Sequence, residues 1–193
     1  MEGKSMIDLY TDGSSTKNRS GWGVIVLHNG EEVKRIQGTE LHATNQRMEL
    51  KAALEALKFW SEYEPSENCT LHSDSAYLCN CYFDKWYINW ENNGWINSKK
   101  EPVANQDLWE LLVPYFRDVH VTLDKVKGHS GHTYNEIADK LATGTITNDT
   151  YLIIDEKNDK INIELSEILL DYSMKKYPVD ETIKRIRKVF NCG

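Results

Sequence analysis

The chain has 193 residues, 40% of them apolar, enough for one domain with a core and an appendage. Its formal charge of −7 excludes a generic nucleic-acid sponge, which would be basic overall, but not an enzyme whose acidic residues hold metal. Its apolar runs are too short and interrupted for a membrane span or a secretory signal. Four cysteines (Cys69, Cys79, Cys81, Cys192) lack zinc-type or redox spacing and read as free thiols in a reducing cytoplasm.

Residues 6–12 alternate, Ile7 and Leu9 one way and Tyr10 and Asp12 the other, which predicts a half-buried strand. Residues 22–28 and 32–38 are two further strand-like runs. Asn29-Gly30 between them predicts a hairpin. Residues 44–60 switch to helical period, with Glu49, Ala53, Ala56, Leu57 and Trp60 on one stripe, so Glu49 should point inward. A short strand follows at 70–74, then a single helix over 76–90 and another within 102–117, which Pro114 should end or kink. Val119, Val121 and Leu123 alternate with polar residues, predicting a strand over 119–126. A glycine-flanked loop with two histidines leads to a helix over 135–143 whose stripe holds Asn135, Ala138, Asp139 and Ala142. The order β-β-β-α-β-α-α-β-α predicts an α/β fold, a mixed five-stranded sheet with helices on both faces. Trp86, Trp90 and Trp95 read as a packing stripe or as a stacking wall for nucleic acid; packing is favoured for Trp90.

Four carboxylates carry the chemical signal. Asp12 and Asp74 end strands; Glu49 and Asp139 lie on the inner stripes of helices. A buried carboxylate is costly unless something positive neutralises it. Four together call for cations, and two divalent ions about 4 Å apart are what in-line phosphodiester hydrolysis uses. His129, between Gly128 and Gly131, sits where a side chain can move a proton near neutral pH.

Residues 6–145 resemble ribonuclease H type 1. The matching motifs run in order: Thr11-Asp12-Gly13-Ser14, Gly21-Trp22-Gly23, Thr44-Asn45-Gln46-Arg47-Met48-Glu49, Ser73-Asp74-Ser75, Gly94-Trp95, Asp107-Leu108-Trp109, Lys127-Gly128-His129 and Asn135-Glu136 with Ala138-Asp139. The resemblance implies cleavage of the RNA strand of RNA–DNA hybrids, leaving 5′-phosphate and 3′-hydroxyl ends. It implies Asp12, Glu49, Asp74 and Asp139 as ligands of two Mg²⁺ ions, for which Mn²⁺ could substitute, and His129 as a proton-transfer residue. Substrate contacts are implied for Gly13, Ser14, Asn45 and Gln46, for Thr44 and Asn105 in a phosphate pocket, and for Trp86 in the DNA channel. A hybrid-binding module without catalysis is the alternative; the presence of all four carboxylates disfavours it. The sequence departs from the family pattern at Glu91-Asn92-Asn93, where bacterial relatives often carry lysines, at Ala76, at His42, which stands where a basic residue often helps the phosphate pocket, and in a shortened loop over 15–20.

Residues 147–193 lie outside the resemblance and are expected to form a separate extension, a hairpin and two helices. The last helix sets Ile183, Ile186, Val189 and Phe190 against Lys184, Arg185, Arg187 and Lys188. A monomer is expected, with self-association through the tail as the alternative.

Overall fold

The computed structural model describes residues 5–17, 19–128 and 132–146, together with residues 181, 183 and 184. The chain divides into two units, Met1–Thr150 and Tyr151–Gly193. The sheet and its covering helices belong to the first. The hairpin and helices expected beyond residue 147 lie outside the described residues, save that 181, 183 and 184 are helical.

Strands β1 (Met6–Ser15), β2 (Ser20–His28) and β3 (Glu31–Thr39) open the chain. Then come α1 (Asn45–Tyr63), β4 (Asn68–Ser73), α2 (Ala76–Phe83), α3 (Trp86–Asn92), α4 (Gln106–Phe116), β5 (Val121–Lys125) and α5 (Thr133–Thr143). The sheet runs β3-β2-β1-β4-β5. Its first three strands are antiparallel, while β4 pairs parallel with both β1 and β5, so the sheet is mixed. The β2–β3 hairpin turns at Asn29 (φ 53°) and Gly30 (φ 84°); a tight hairpin with both central φ positive is the turn Asn-Gly favours.

The two faces are covered by different elements. Ile7, Leu9, Val24 and Val26 share one cluster with Leu50, Leu54, Leu57 and Trp60 of α1 and with Trp109 of α4. Tyr10, Ile25 and Leu27 meet Ala138 and Leu141 of α5 on the other side. The central strand β1 is therefore covered in part on its second face too, more than its alternation predicts. Tyr10, on the face that looks polar in sequence, is only 7% exposed because α5 covers it there.

Three further expectations are corrected. Residues 76–90 form two helices, since Lys85 takes a left-handed conformation (φ 53°) after α2 ends at Asp84. Pro114 does not end α4 at its own position: it sits in the last turn of the span, and only the bond its missing N–H would give to Glu110, itself exposed, is forgone. Val119 is 89% exposed in the turn before β5, so the strand's inward positions are Val121 and Leu123 only.

Helix α5 approaches the sheet at Gly23. A Cβ there would stand 2.5 Å from both the Ala138 carbonyl oxygen and the Leu141 Cβ. Gly23→Ala should therefore force α5 outward and cost about 1–3 kcal/mol, the usual range for overpacking. Urea unfolding measures it, and an unchanged midpoint would show that α5 has slack at this contact.

Candidate active site

The parallel register brings the first two carboxylates together. Thr11 of β1 pairs with Ser73 of β4, so Asp12 and Asp74 follow at one edge, on strands about 4.8 Å apart. Helix α1 begins against this edge. Thr44 caps it by accepting a hydrogen bond from the Arg47 amide (3.2 Å), and Glu49 comes one turn later. Its closeness depends on Gly13, where a Cβ would lie 2.1 Å from the Glu49 amide nitrogen. From the opposite face α5 adds Asp139, the residue after the carbonyl that abuts Gly23.

These four carboxylates line one pocket of about 320 Å³ with Gly13, Ser14 and Asn45. Gln46 and Trp86 line an adjoining groove of about 750 Å³ that also takes in Trp90, Asn93 and Lys99. Trp90 is buried, in contact distance of Trp86, Trp95 and Trp109, which makes it core; Trp86 and Trp95 are partly exposed against it. Thr44 is exposed at the start of α1. Asn105 sits in a left-handed turn (φ 57°) before α4, and Arg47 Nη1 reaches its Oδ1 at 3.5 Å while gripping Asp107 with both terminal nitrogens (3.0 and 2.8 Å). His129 lies outside the described residues.

Ser75, Asn135 and Glu136 stand at the pocket without a site role in the sequence reading, although Asn135 shares the α5 stripe with Asp139. Ser75 donates a short hydrogen bond to Glu49 Oε2, and Asn45 Nδ2 donates to Oε1 (2.8 Å). Asn135 and Glu136 also line the pocket. Asn135 is buried, and among the described residues its Oδ1 has no hydrogen-bond partner. The i, i+4 step from Asn135 to Asp139 is the signal that could have found it.

The site is strongly acidic. Burial first, then the charges of Asp74, Asp139 and Glu49, push Asp12 up to about 8, against a hydrogen bond from the Gly13 amide (2.8 Å) that favours the anion. Glu49 is also raised, chiefly by burial and by Asp74, with Ser75 and Asn45 opposing. Among the described residues no three acidic, imidazole or thiol groups stand close enough to hold one ion as placed. The donor set still fits hard divalent cations, which take carboxylate and carbonyl oxygens. The pocket lining offers the carboxylates of Asp12, Glu49, Asp74, Glu136 and Asp139 and the amide oxygen of Asn135. The thiols do not compete: Cys69, Cys79 and Cys81 are buried, and burial pushes each up to about 11 or 12.

An aspartate in the unfolded chain loses its proton near 3.8, whereas Asp12 in the fold holds it to about 8. Between those values the folded state binds the extra proton, so metal-free stability falls as pH rises through that window. Asp12→Asn removes this titration. In metal-free thermal melts the variant should exceed the wild type at pH 8, by about 2–4 °C per kcal/mol relieved, with the gap closing toward pH 4. A gap independent of pH would mean that Asp12 is not the strained group.

Comparison with known proteins agrees with this geometry. The family model described as RNase H matches residues 4–147. The chain is 49% identical over 144 residues to a ribonuclease H of Syntrophomonas wolfei, covering 72% of this chain and 95% of that protein. It is 41% identical over 143 residues to a ribonuclease H of Caldanaerobacter subterraneus, covering 73% and 91%. Among solved structures, LC9-RNase H1, a type 1 enzyme with the type 2 active-site motif, superposes with a TM-score of 0.60 at 24% identity over 75% of this chain and 74% of that one, which shows a shared fold. The ordered motifs, the sheet order and these matches agree: the chain belongs to the ribonuclease H family of hydrolases.

Proposed function

We propose that this chain hydrolyses the RNA strand of RNA–DNA hybrids with the help of two divalent ions, leaving 5′-phosphate and 3′-hydroxyl ends. One observation carries the reading: Asp12, Glu49, Asp74 and Asp139, with Glu136 beside them, share one pocket in which no lysine or arginine is among the lining residues. Asp12, Glu49, Asp74 and Asp139 would hold the ions, Mg²⁺ by preference with Mn²⁺ as a substitute. When bound, the pair supplies activation of the attacking water and stabilisation of the leaving 3′-oxygen.

The chain's own groups do the rest. Asn45 joins three parts of the site: its Oδ1 accepts from the Ser15 amide (3.1 Å) and its Nδ2 holds Glu49, so the β1–β2 turn, α1 and the acid pocket move as one. Gln46 and Trp86 face the adjoining groove, where a base can stack and a groove edge can be read. Thr44 and Asn105 flank the Arg47 fork and would receive a DNA-strand phosphate. His129, from the loop after β5, is assigned proton transfer. RNA–DNA hybrids are present in solved relatives, among them LC11-RNase H1, whose fold this chain shares at a TM-score of 0.53 and 15% identity. Buried thiols suit a reducing cytoplasm, and among the described residues no helix is long and apolar enough to cross a membrane.

Cleavage of a labelled hybrid, compared with single-stranded RNA, double-stranded RNA and DNA, tests the substrate. Asp12→Asn should abolish Mg²⁺-dependent cleavage while the protein stays folded. Near wild-type cleavage by that variant would refute the site. His129→Ala should slow turnover by roughly 10²-fold, as loss of a general acid–base does, with metal affinity little changed. A chain shortened to residues 1–147, the span of the family match, should keep Mg²⁺-dependent cleavage. A shortened protein that folds and binds hybrid but cannot cut it would put part of the chemistry in the extension.

A further inference from the structure

One histidine outside the acid pocket grips the strands that set it. His72 lies on β4 two residues before Asp74, opposite Tyr10 of β1 and Asp124 of β5 in the strand register. Its side chain is 12% exposed and is held on two sides. Asp8 Oδ1 of β1 stands 2.8 Å from its Nε2, and Asp124 Oδ2 of β5 stands 3.0 Å from its Nδ1. Its main chain is held as well, since the Thr11 hydroxyl donates to the His72 carbonyl (3.2 Å). One residue thus joins three adjacent strands.

The ring also lies flat on Tyr10, with centroids 4.3 Å apart and planes 9° from parallel. Tyr10 in turn meets His132 and Tyr134, at 5.7 and 5.4 Å between centroids, where α5 begins. The run of rings leads from β4 across β1 to the helix that carries Asp139.

The restraint falls where the sheet needs one. The last paired residues of β1 and β4 are Thr11 and Ser73, so Asp12 and Asp74 stand one step beyond the ladder. Among the charges that raise Asp12, that of Asp74 is foremost. Like charges there push the two strand ends apart, and the pairing stops short of them. The sheet does not need the clamp in order to close, because β1 and β4 are already paired from Met6 to Thr11. What the clamp adds is stiffness across β1, β4 and β5 just before the repelling pair.

We propose that His72 is a positioning residue for the reaction: by binding Asp8 and Asp124 and stacking on Tyr10, it holds Asp74 against Asp12, with α5 and Asp139 beside them, at the spacing that the divalent ions require. It acts from outside the pocket, whose lining it does not join. The assignment rests on the proposed two-ion function.

The test reads metal binding apart from cleavage. Mn²⁺ is the probe, titrated by calorimetry into the substrate-free, full-length protein. Turnover of a labelled hybrid in Mg²⁺ and thermal melts are measured beside it. Loss of a group that orients metal ligands costs roughly 10–100-fold in affinity or activity. His72→Ala should weaken Mn²⁺ binding and lower kcat on that scale, with the KM for hybrid little changed. Asp8→Ala leaves the ring stack in place and should act in the same direction. Asp8→Asn keeps an acceptor oxygen and should restore most of both quantities. The double variant of His72→Ala and Asp8→Ala should be no worse than His72→Ala, because the two side chains act as one contact. Leu112→Ala truncates the core under α4 and is the stability control. It should melt earlier yet keep Mn²⁺ affinity and kcat when assayed well below its melting temperature.

Undiminished Mn²⁺ binding and turnover in His72→Ala and Asp8→Ala, beside a wild type that cuts hybrids, would overturn the positioning role alone. Equal losses in Leu112→Ala at an equal drop in melting temperature would do the same, as would a loss in Asp8→Asn as large as in Asp8→Ala. Should His72→Ala fail to fold, the Asp8 pair decides. A wild-type protein that cuts no hybrid in Mg²⁺ would overturn the functional reading, and this inference with it.

Discussion

The end of the sheet that carries the acid pocket is governed by the cost of holding several carboxylates together with no lysine or arginine among the lining residues. Like charges at short range raise one another's proton affinity, and burial adds to it, which is why Asp12 reaches about 8. Side chains alone would relieve that strain by turning away. The backbone prevents it: the parallel register of β1 and β4 sets two of the positions, the contact of Gly13 with α1 a third, and the contact of Gly23 with α5 the fourth. Rigid elements on three sides of one strand end thus create a field that is unfavourable for the protein alone and favourable for cations.

The tethers at the pocket are chosen to keep that field. Glu49 is oriented by an amide and a hydroxyl, and Asp12 by a backbone N–H. A lysine or arginine in those places would orient the carboxylates as well, but would also neutralise them and occupy the space of an ion. Neutral donors fix direction and leave the charge available. The Oδ1 of Asn135, unpartnered among the described residues, fits the same pattern, an oxygen kept free at the margin of the pocket.

Local patterns in the sequence reveal much of this and miss what depends on distant parts of the chain. The hairpin at Asn29-Gly30, the inward stripe of α1 and the strand-end positions of Asp12 and Asp74 are legible because each rests on neighbours within a few residues. The partial cover on the second face of β1 is not, since it depends on α5, more than a hundred residues later. The break between α2 and α3 is hidden because Asp84-Lys85 carries no glycine or proline to mark it. Val119 looks like a strand residue by type, and only the position of the preceding turn exposes it. Ser75 and Asn135 stand beside recognisable carboxylates, but a serine or asparagine gains a role only when the fold brings its partner or its pocket to it.

The disposition of cations bears on how an acidic protein engages a polyanion. Several basic side chains are committed to internal structure. Arg47 binds Glu40 and Asp107 together, and Arg117 pairs with Glu91 while lying 5.5 Å over the Tyr87 ring. These pairs fix α1 against α4, and α3 against the end of α4, and so stiffen the walls of the large groove. They also withdraw positive charge from the surface that meets substrate. Long-range attraction to phosphate is therefore weak, and the remaining contacts act at short range, where the fit of the duplex decides whether they form. On the proposed function, a protein built this way would gain little from nucleic acid of the wrong shape, because few of its charges would reach any phosphate until groove width and strand position are right. Discrimination then comes from the rigidity of the walls more than from the strength of any single contact.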